Sequence, residues 1–250
     1  MKAKFYHNEN EWLIDLNKPI NISIPLISGQ DGPNCFYAPN FKTSPVVSGD
    51  FIGDTKQGGV VNFFNIQINP HGNGTHTECV GHISREGHKL RDCMQRYMFL
   101  SSLISVCPIE LENGDKLITK ESISAALEGS GFSEAMVIRT LPNKEEKMRV
   151  NYSGTNPVYF APEAIEYMVE NGVDHLLTDL PSVDREEDGG KLLSHSCFWN
   201  YPEEIILHRT ITELIFVPNK VKDGKYILNI MVGDYDLDVS PSKPILYHPL

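Results

Sequence analysis

The sequence predicts an α/β protein folded as a single domain over residues 1–250, and three observations carry that expectation. Candidate helices alternate with candidate strands through the middle third of the chain. At 250 residues with 40% hydrophobic content, the chain is long enough to bury one sizeable core. No Gly/Ser-rich linker, internal repeat or low-complexity tract divides it.

The elements follow in order. Residues 12–26 (WLIDLNKPINISIPL) hold two strand pieces parted at Asn17–Lys18–Pro19, because Pro19 cannot donate within a ladder. Residues 28–59 are rich in turn signatures, with Phe36, Tyr37 and Phe41 set among them. Aromatics so placed either anchor the loop to the core or wall a substrate pocket, and Phe36 and Tyr37 are the candidates for that wall. Residues 60–69 (VVNFFNIQIN) read as a strand running into Pro70–His71, and 83–95 as a polar connection passing into a short helix. The run 97–109 is strongly apolar and buried, closed by the turn at 112–115. A helix is expected over 119–129, capped by Thr119 and stopped by Gly129. A strand is expected over 135–140, where Arg139 is a lone charge suited to pairing with Asp179 or Asp184. A second helix is expected over 161–171, with Pro162 in its first turn and Gly172 just beyond its end. Residues 175–184 read as a strand and its loop, and 184–191 (DREEDGGK) as an acidic turn. Extended segments are expected within 203–219, a strand over 225–232, and an irregular tail over 241–250.

Charge narrows the function. Twenty-two Lys and Arg against 33 Asp and Glu give a net charge of −11. Such a surface does not follow a nucleic-acid backbone, which needs a concentrated basic patch, and anionic membranes repel it. No apolar stretch approaches the ~20 residues that span a bilayer, and the N-terminus lacks the apolar core of a secretory signal. The five cysteines are scattered without a CxxC pair, which reads as reduced thiols in a cytoplasmic protein. Nine histidines make metal binding or proton transfer the chemistry to look for.

That chemistry concentrates in NPHGNGTHTECVGHI, residues 69–83, which places His71, His76, Glu78 and His82 within twelve residues. Side chains alternate faces along an extended chain, so His76 and Glu78 point the same way with Cα atoms roughly 6.5 Å apart. An imidazole nitrogen and a carboxylate oxygen at that spacing can converge on one cation, at ~2.0–2.2 Å each for zinc. His82 shares their parity. His71 does not, and needs a bulge at Gly72–Asn73–Gly74 to turn it inward. The alternative reading is a polar, glycine-rich surface loop with ordinary hydrogen-bonding histidines. Cys79 alternates away from the ligand face and reads as core.

The segment resembles the signature of the metal-dependent cyclase/hydrolase family that includes arylformamidases, His-x-Gly-Thr-His-x-Asp-x-Pro-x-His. Gly74–Thr75–His76 matches its centre, Glu78 stands at its Asp, Val80 at its Pro and His82 at its last His. His71 serves as the first His, with one extra residue before Gly74. The run Thr178–Asp184 (TDLPSVD) resembles the family's Asp-x-x-Ser-x-Asp element, and IDLNKPINISIPL its opening.

The resemblance implies a mixed, curled β-sheet core with flanking helices, of swivelling β/α/β type. It implies Zn²⁺, as one or two ions, or Mn²⁺, held by His71, His76 and Glu78, with His195 and Glu213 completing a two-metal site. His208 competes with His195, because it begins the HRTITE run that contains Glu213. It implies that His82 is the general acid/base and that the reaction is hydrolysis of a small amide, formamide or lactone, such as the arylformamide N-formylkynurenine. It also implies a homo-oligomer, a dimer or larger. Glu at 78 in place of Asp adds roughly 1.5 Å of reach. With the extra residue before Gly74, that change leaves a non-catalytic metal- or ligand-binding member of the same fold as the alternative.

Overall fold

The structure is a computed structural model and describes residues 1–29, 32–128 and 130–250. Eight strands build the central sheet: β1 (Ile20–Asn21), β2 (His76–Glu78), β3 (Met98–Val106), β4 (Ala135–Thr140), β5 (His175–Thr178), β6 (Thr210–Glu213), β7 (Gly224–Val232) and β8 (Val239–Tyr247). Strands β3, β4, β5 and β6 run parallel in that spatial order. Their crossovers carry the helices α2 (Lys120–Ala126), α3 (Pro162–Glu170) and α4 (Leu193–Trp199), while α1 (Leu90–Cys93) is a single turn before β3. Antiparallel pairing then continues from β6 to β2 and from β2 to β8, and β8 pairs with β7, which pairs with β3. The sheet therefore curls until it closes as a barrel, with β1 laid against β8. This is the α/β, mixed-sheet architecture that the sequence and its resemblance predict.

Alternation along the strands sorts the core into two layers. Leu103, Val137, Leu177 and Leu228 are buried together inside the barrel. Ile104, Met136, Ile138, Leu176 and Ile211 face outward and are covered by Ile123 of α2, Ile165 and Met168 of α3, and Phe198 and Trp199 of α4. Each such side chain contributes about 1.5–3 kcal/mol by leaving water. Local signals explain the helices. Thr119 Oγ1 accepts from Ser122 N at 3.2 Å and caps α2, Pro162 occupies the first turn of α3, and Gly172 takes the left-handed conformation (φ 81°) just past its end. The expected stop at Gly129 lies outside the described residues.

Four expectations are corrected. The strand of 60–69 shrinks to Phe64–Gln67, which pairs with Lys42–Pro45 in a hairpin outside the barrel and is exposed throughout. Its apolar residues Val60, Val61 and Phe63 stay in solvent, so β-propensity without a covering face did not bring it into the sheet. Within 203–219 only Thr210–Glu213 is a strand. The tail, by contrast, is a nine-residue strand. Pro241 and Pro244 argue against a strand, but Pro244 uses only its carbonyl, which accepts from Ile22 N at 3.2 Å, and the following Ile245 and Leu246 are buried. Finally, Arg139 turns away from Asp179 and Asp184. It pairs with Asp223 at 2.8 Å and donates to the carbonyls of Pro218 and Val221.

Candidate metal centre

The register of β2 against β6 places His76 opposite Glu213 and Glu78 opposite Ile211. His76, Glu78 and Glu213 therefore share the outer face of the barrel, the one that α4 covers, while Thr77 and Thr212 bond each other at 2.8 Å on the inner face. Gly-Thr-His has a mechanical reading here. Gly74 adopts φ 79°, and a Cβ on it would come within 2.8 Å of Leu26 Cδ2. Thr75 Oγ1 accepts from Ile24 N at 2.8 Å and donates to the carbonyl of Leu214, tying the approach of β2 to the end of β6. His71 is brought inward by a tight turn rather than a bulge. Asn73 N donates to Asn69 O at 2.9 Å, Gly72 N to Asn69 Oδ1 at 3.0 Å, and Asn69 N to Asn73 Oδ1 at 2.8 Å. The extra residue before Gly74 is part of that turn.

His82 arrives on the single 3₁₀ turn Val80–His82 directly after Glu78. His195 arrives on α4, whose first turn is held from a distance: Asp184 accepts from Ser194 N at 2.7 Å and from His195 N at 3.1 Å. The same carboxylate takes His195 Nδ1 at 2.6 Å, so the Asp-x-x-Ser-x-Asp element both caps the helix and aims its imidazole. Trp199, one turn on, stacks on the His195 ring at 5.7 Å between centroids.

Glu78 is the centre of the arrangement. His71 Nδ1 lies 2.9 Å from its Oε2, His195 Nε2 3.3 Å from its Oε1, His82 Nδ1 3.8 Å and His76 Nε2 4.0 Å from Oε2, and His76 Nε2 is also 3.3 Å from Glu213 Oε2. The glutamate's extra methylene thus delivers the carboxylate among four imidazoles. Glu78 and His76 are completely buried, yet neither Glu78 oxygen nor His76 Nε2 has a hydrogen-bond partner among the described residues; the 2.9 Å approach of His71 is not aligned for one. Buried polar atoms are rarely left so.

The charges respond to one another. Burial would lower the His71 pKa, but Asp238 and Glu78 override it and raise it to about 10. Burial opposes the charge on His195 as well, and Asp184 and Glu78 raise it to about 10. Glu78 itself is held well below the usual carboxylate range: burial pushes it up, and the surrounding histidines outweigh that. Glu213 is pushed up by burial and by the nearby Glu78 charge, and His82 is lowered by burial.

The structure brings together His71, His76, Glu78, His82, His195 and Glu213. Three groups have ligand atoms that all lie within 4.8 Å of one another: His71, His76 and Glu78; Glu78, His82 and His195; and His71, His82 and Asp238. A nitrogen-and-carboxylate donor set with orphaned buried atoms at its centre fits a divalent cation. His208 stands apart, 61% exposed on its side chain and 3.3 Å from Asp174. Phe36 and Tyr37 are 44% and 76% exposed. Cys35 before them donates to the His71 carbonyl at 3.4 Å, and Phe36 lies in a small recess with Ser182 and Asp184. A cavity of about 370 Å³ opens on His71 and Asp238 and is otherwise lined by residues such as Ile68, Asn69 and Leu237. A larger depression of about 510 Å³, between Leu90–Met94 and Asn229–Asp234, shares no residue with the cluster. Asp238, 2.9 Å from His71 Nε2, was not singled out by the sequence, because nothing in DYDLDVS marks it.

A curled α/β barrel with a buried histidine–carboxylate cluster on its outer face defines the class of protein. Its family is shown by sequence: the model of the family described as "Putative cyclase" matches residues 14–185, and the chain belongs to that family. No curated protein sequence matches the chain. Among solved structures, it superposes on a potential metal-dependent hydrolase with cyclase activity at a TM-score of 0.65 and 15% identity, covering 92% of this chain and 97% of that one. An isatin hydrolase bound to the product analogue thioisatinate gives 0.66 and 15%, covering 94% of each chain. Isatin hydrolase A from Labrenzia aggregata, bound to benzyl benzoate, gives 0.65 and 13%, covering 93% of this chain and 94% of that one. At these identities the likeness is one of fold.

Proposed function

We propose that the protein is a divalent-metal-dependent hydrolase of a small amide, formamide or lactone, with arylformamides such as N-formylkynurenine as its substrate class. One observation carries the reading: a fully buried glutamate, both oxygens unpartnered, at the centre of four imidazoles. His71, His76 and Glu78 would hold one cation, and His195 and Glu213 a second that shares Glu78. Zn²⁺ and Mn²⁺ both accept such donors. A bound cation supplies Lewis acidity toward a carbonyl oxygen and makes water nucleophilic near neutral pH.

The chain's own residues do the rest. His82 is the least committed imidazole of the group, 31% exposed on its side chain and no closer than 3.8 Å to either carboxylate facing it. Burial favours its neutral form, which suits it to take a proton from water and return it to a leaving amine. Trp199 and Phe198 close the inner side against water. Substrate would enter through the cavity beside His71, whose wall is formed by residues such as Pro39, Ile68 and Leu237, while Phe36 lines a separate recess beside Asp184. The cyclic amide isatin, which three structurally similar enzymes are named for, belongs on the same substrate panel.

The test is hydrolysis of N-formylkynurenine, formanilide, isatin and simple lactones by metal-loaded and chelator-stripped protein. Turnover that disappears with chelator and returns with Zn²⁺ or Mn²⁺ supports the reading. Metal bound without turnover of any of them points instead to a non-catalytic metal-binding member of the fold.

A further inference from the structure

We propose that Asp238 is a positioning residue of the metal centre, fixing the tautomer and the aim of the His71 ring. The proposal rests on the metal reading above. It comes from a pattern shared by three rings. His76 has Nδ1 3.0 Å from the Gly74 carbonyl, His195 has Nδ1 2.6 Å from Asp184, and His71 has Nε2 2.9 Å from Asp238 Oδ2. In each ring the remaining nitrogen faces Glu78, at 4.0, 3.3 and 2.9 Å respectively. A neutral imidazole carries one N–H and one lone pair. An oxygen acceptor on the far nitrogen takes the N–H and leaves the lone pair directed at the cation, which is how supporting carboxylates set metal-binding histidines. His76 and His195 therefore present Nε2, and His71 presents Nδ1.

Asp238 is mounted for this task. Its carbonyl accepts from Cys79 N at 3.0 Å, the carbonyl of Leu237 accepts from Leu90 N at 2.9 Å, and Val239 stands opposite Glu78 in the ladder. The residue is thus fastened to the segment that carries Glu78, and its aim follows that segment. It also lines the 370 Å³ cavity. Without its carboxylate, His71 Nε2 would lose the acceptor that holds it, and the ring could exchange its two nitrogens.

The experiment measures Zn²⁺ affinity, by competition with a chromogenic chelator, for wild type, Asp238→Ala and Asp238→Asn. Asp238→Ala is expected to bind about 10–100-fold more weakly, the usual cost of losing such a support. Asp238→Asn is expected to recover most of that loss, since its amide oxygen accepts the same N–H. Unchanged affinity in the alanine variant, or an asparagine variant as weak as alanine, overturns the proposal. Wild type that binds no Zn²⁺ removes the metal reading and this proposal together, whereas tight wild-type binding with an indifferent alanine variant removes the proposal alone. Should the alanine variant fail to fold, ¹⁵N NMR of Zn²⁺-loaded wild type decides independently. His71 Nε2 is expected as the protonated ring nitrogen, and an unprotonated Nε2 overturns the assignment.

Discussion

Two sets of buried charge stand near the carboxyl ends of the parallel strands, and they are finished differently. Asp179 is completely enclosed, and every one of its contacts is met within the chain. Thr140 N and Oγ1 each donate to it at 2.9 Å, and Lys147 Nζ lies at 2.8 Å. Arg139 is likewise saturated by Ser105, Pro218, Val221 and Asp223. Glu78 is as deeply buried, but its two oxygens have proximity without hydrogen bonds. Saturated charge secures the fold; unsaturated charge marks where something from outside completes the molecule.

Glu78→Gln tests the unsaturated centre most directly. If the centre binds cations, wild type at 100 times Kd gains about 2.7 kcal/mol of stability from metal. Glu78→Gln is expected to lose both that gain and all chelator-sensitive turnover. Thermal melts with and without Zn²⁺ check the first, and the substrate panel the second. A variant that keeps the full metal-induced shift would place the cation elsewhere. His82→Ala separates chemistry from binding in the same centre. Its kcat is expected to fall about 10²–10⁴-fold, as for loss of a general acid/base, with metal content unchanged. A parallel loss of metal would make His82 a ligand instead.

Asp179→Asn probes the saturated set. It removes the charge partner of the Lys147 ammonium, 17% exposed on its side chain and otherwise bonded only to neutral Thr140 oxygens, and is expected to cost about 3 kcal/mol, near the lower end for breaking a buried pair. Urea unfolding should show the same loss with or without metal. A metal-dependent loss would join the two regions that the structure keeps separate.

How much of this was legible follows from where the residues sit. His71, His76, Glu78 and His82 fall in one short segment, so their clustering exposed them before any fold was known, although parity fitted only the last three and the bulge expected at His71 is a turn. His195 and Glu213 came from the resemblance, because their approach depends on α4 and on the β2–β6 register, which no local pattern encodes. Asp238 was invisible: it meets His71 across 167 residues of sequence with no motif around it. The fold divides likewise. The parallel α/β core shows as local alternation, whereas closure of the barrel rests on the β7–β8 hairpin and on the long-range pairing of β2 with β8, both concealed by Pro241 and Pro244.

His175 shows a third treatment of a buried ionisable group, in which it is kept neutral. It packs on Phe99, and its Nδ1 lies 2.8 Å from Thr210 Oγ1. Burial lowers its pKa to about 3, from about 6.5 for an ordinary imidazole. Between those two values the unfolded chain binds a proton that the folded chain refuses. Stability therefore falls as pH drops through that window, by about 1.4 kcal/mol per pH unit from this residue. His175→Gln should flatten the acid limb of the stability–pH curve by that slope, whatever its cost at pH 7. An unaltered limb would show that His175 is protonated in the fold.

The smallest effect expected is at His208, and it tests the choice that sequence left open. His208 and His195 both precede Glu213, and the run HRTITE makes His208 the nearer in sequence. In space, His195 Nε2 is 3.3 Å from Glu78, while His208 lies in an exposed turn beside Asp174. A surface pair of that kind contributes about 0–1 kcal/mol. His208→Ala should leave metal stoichiometry and turnover at wild-type values and move stability by no more than that, whereas His195→Ala should bind less metal. Metal analysis of the two purified variants decides it. A loss in His208→Ala would mean that the turn before β6 refolds toward the centre when the cation binds.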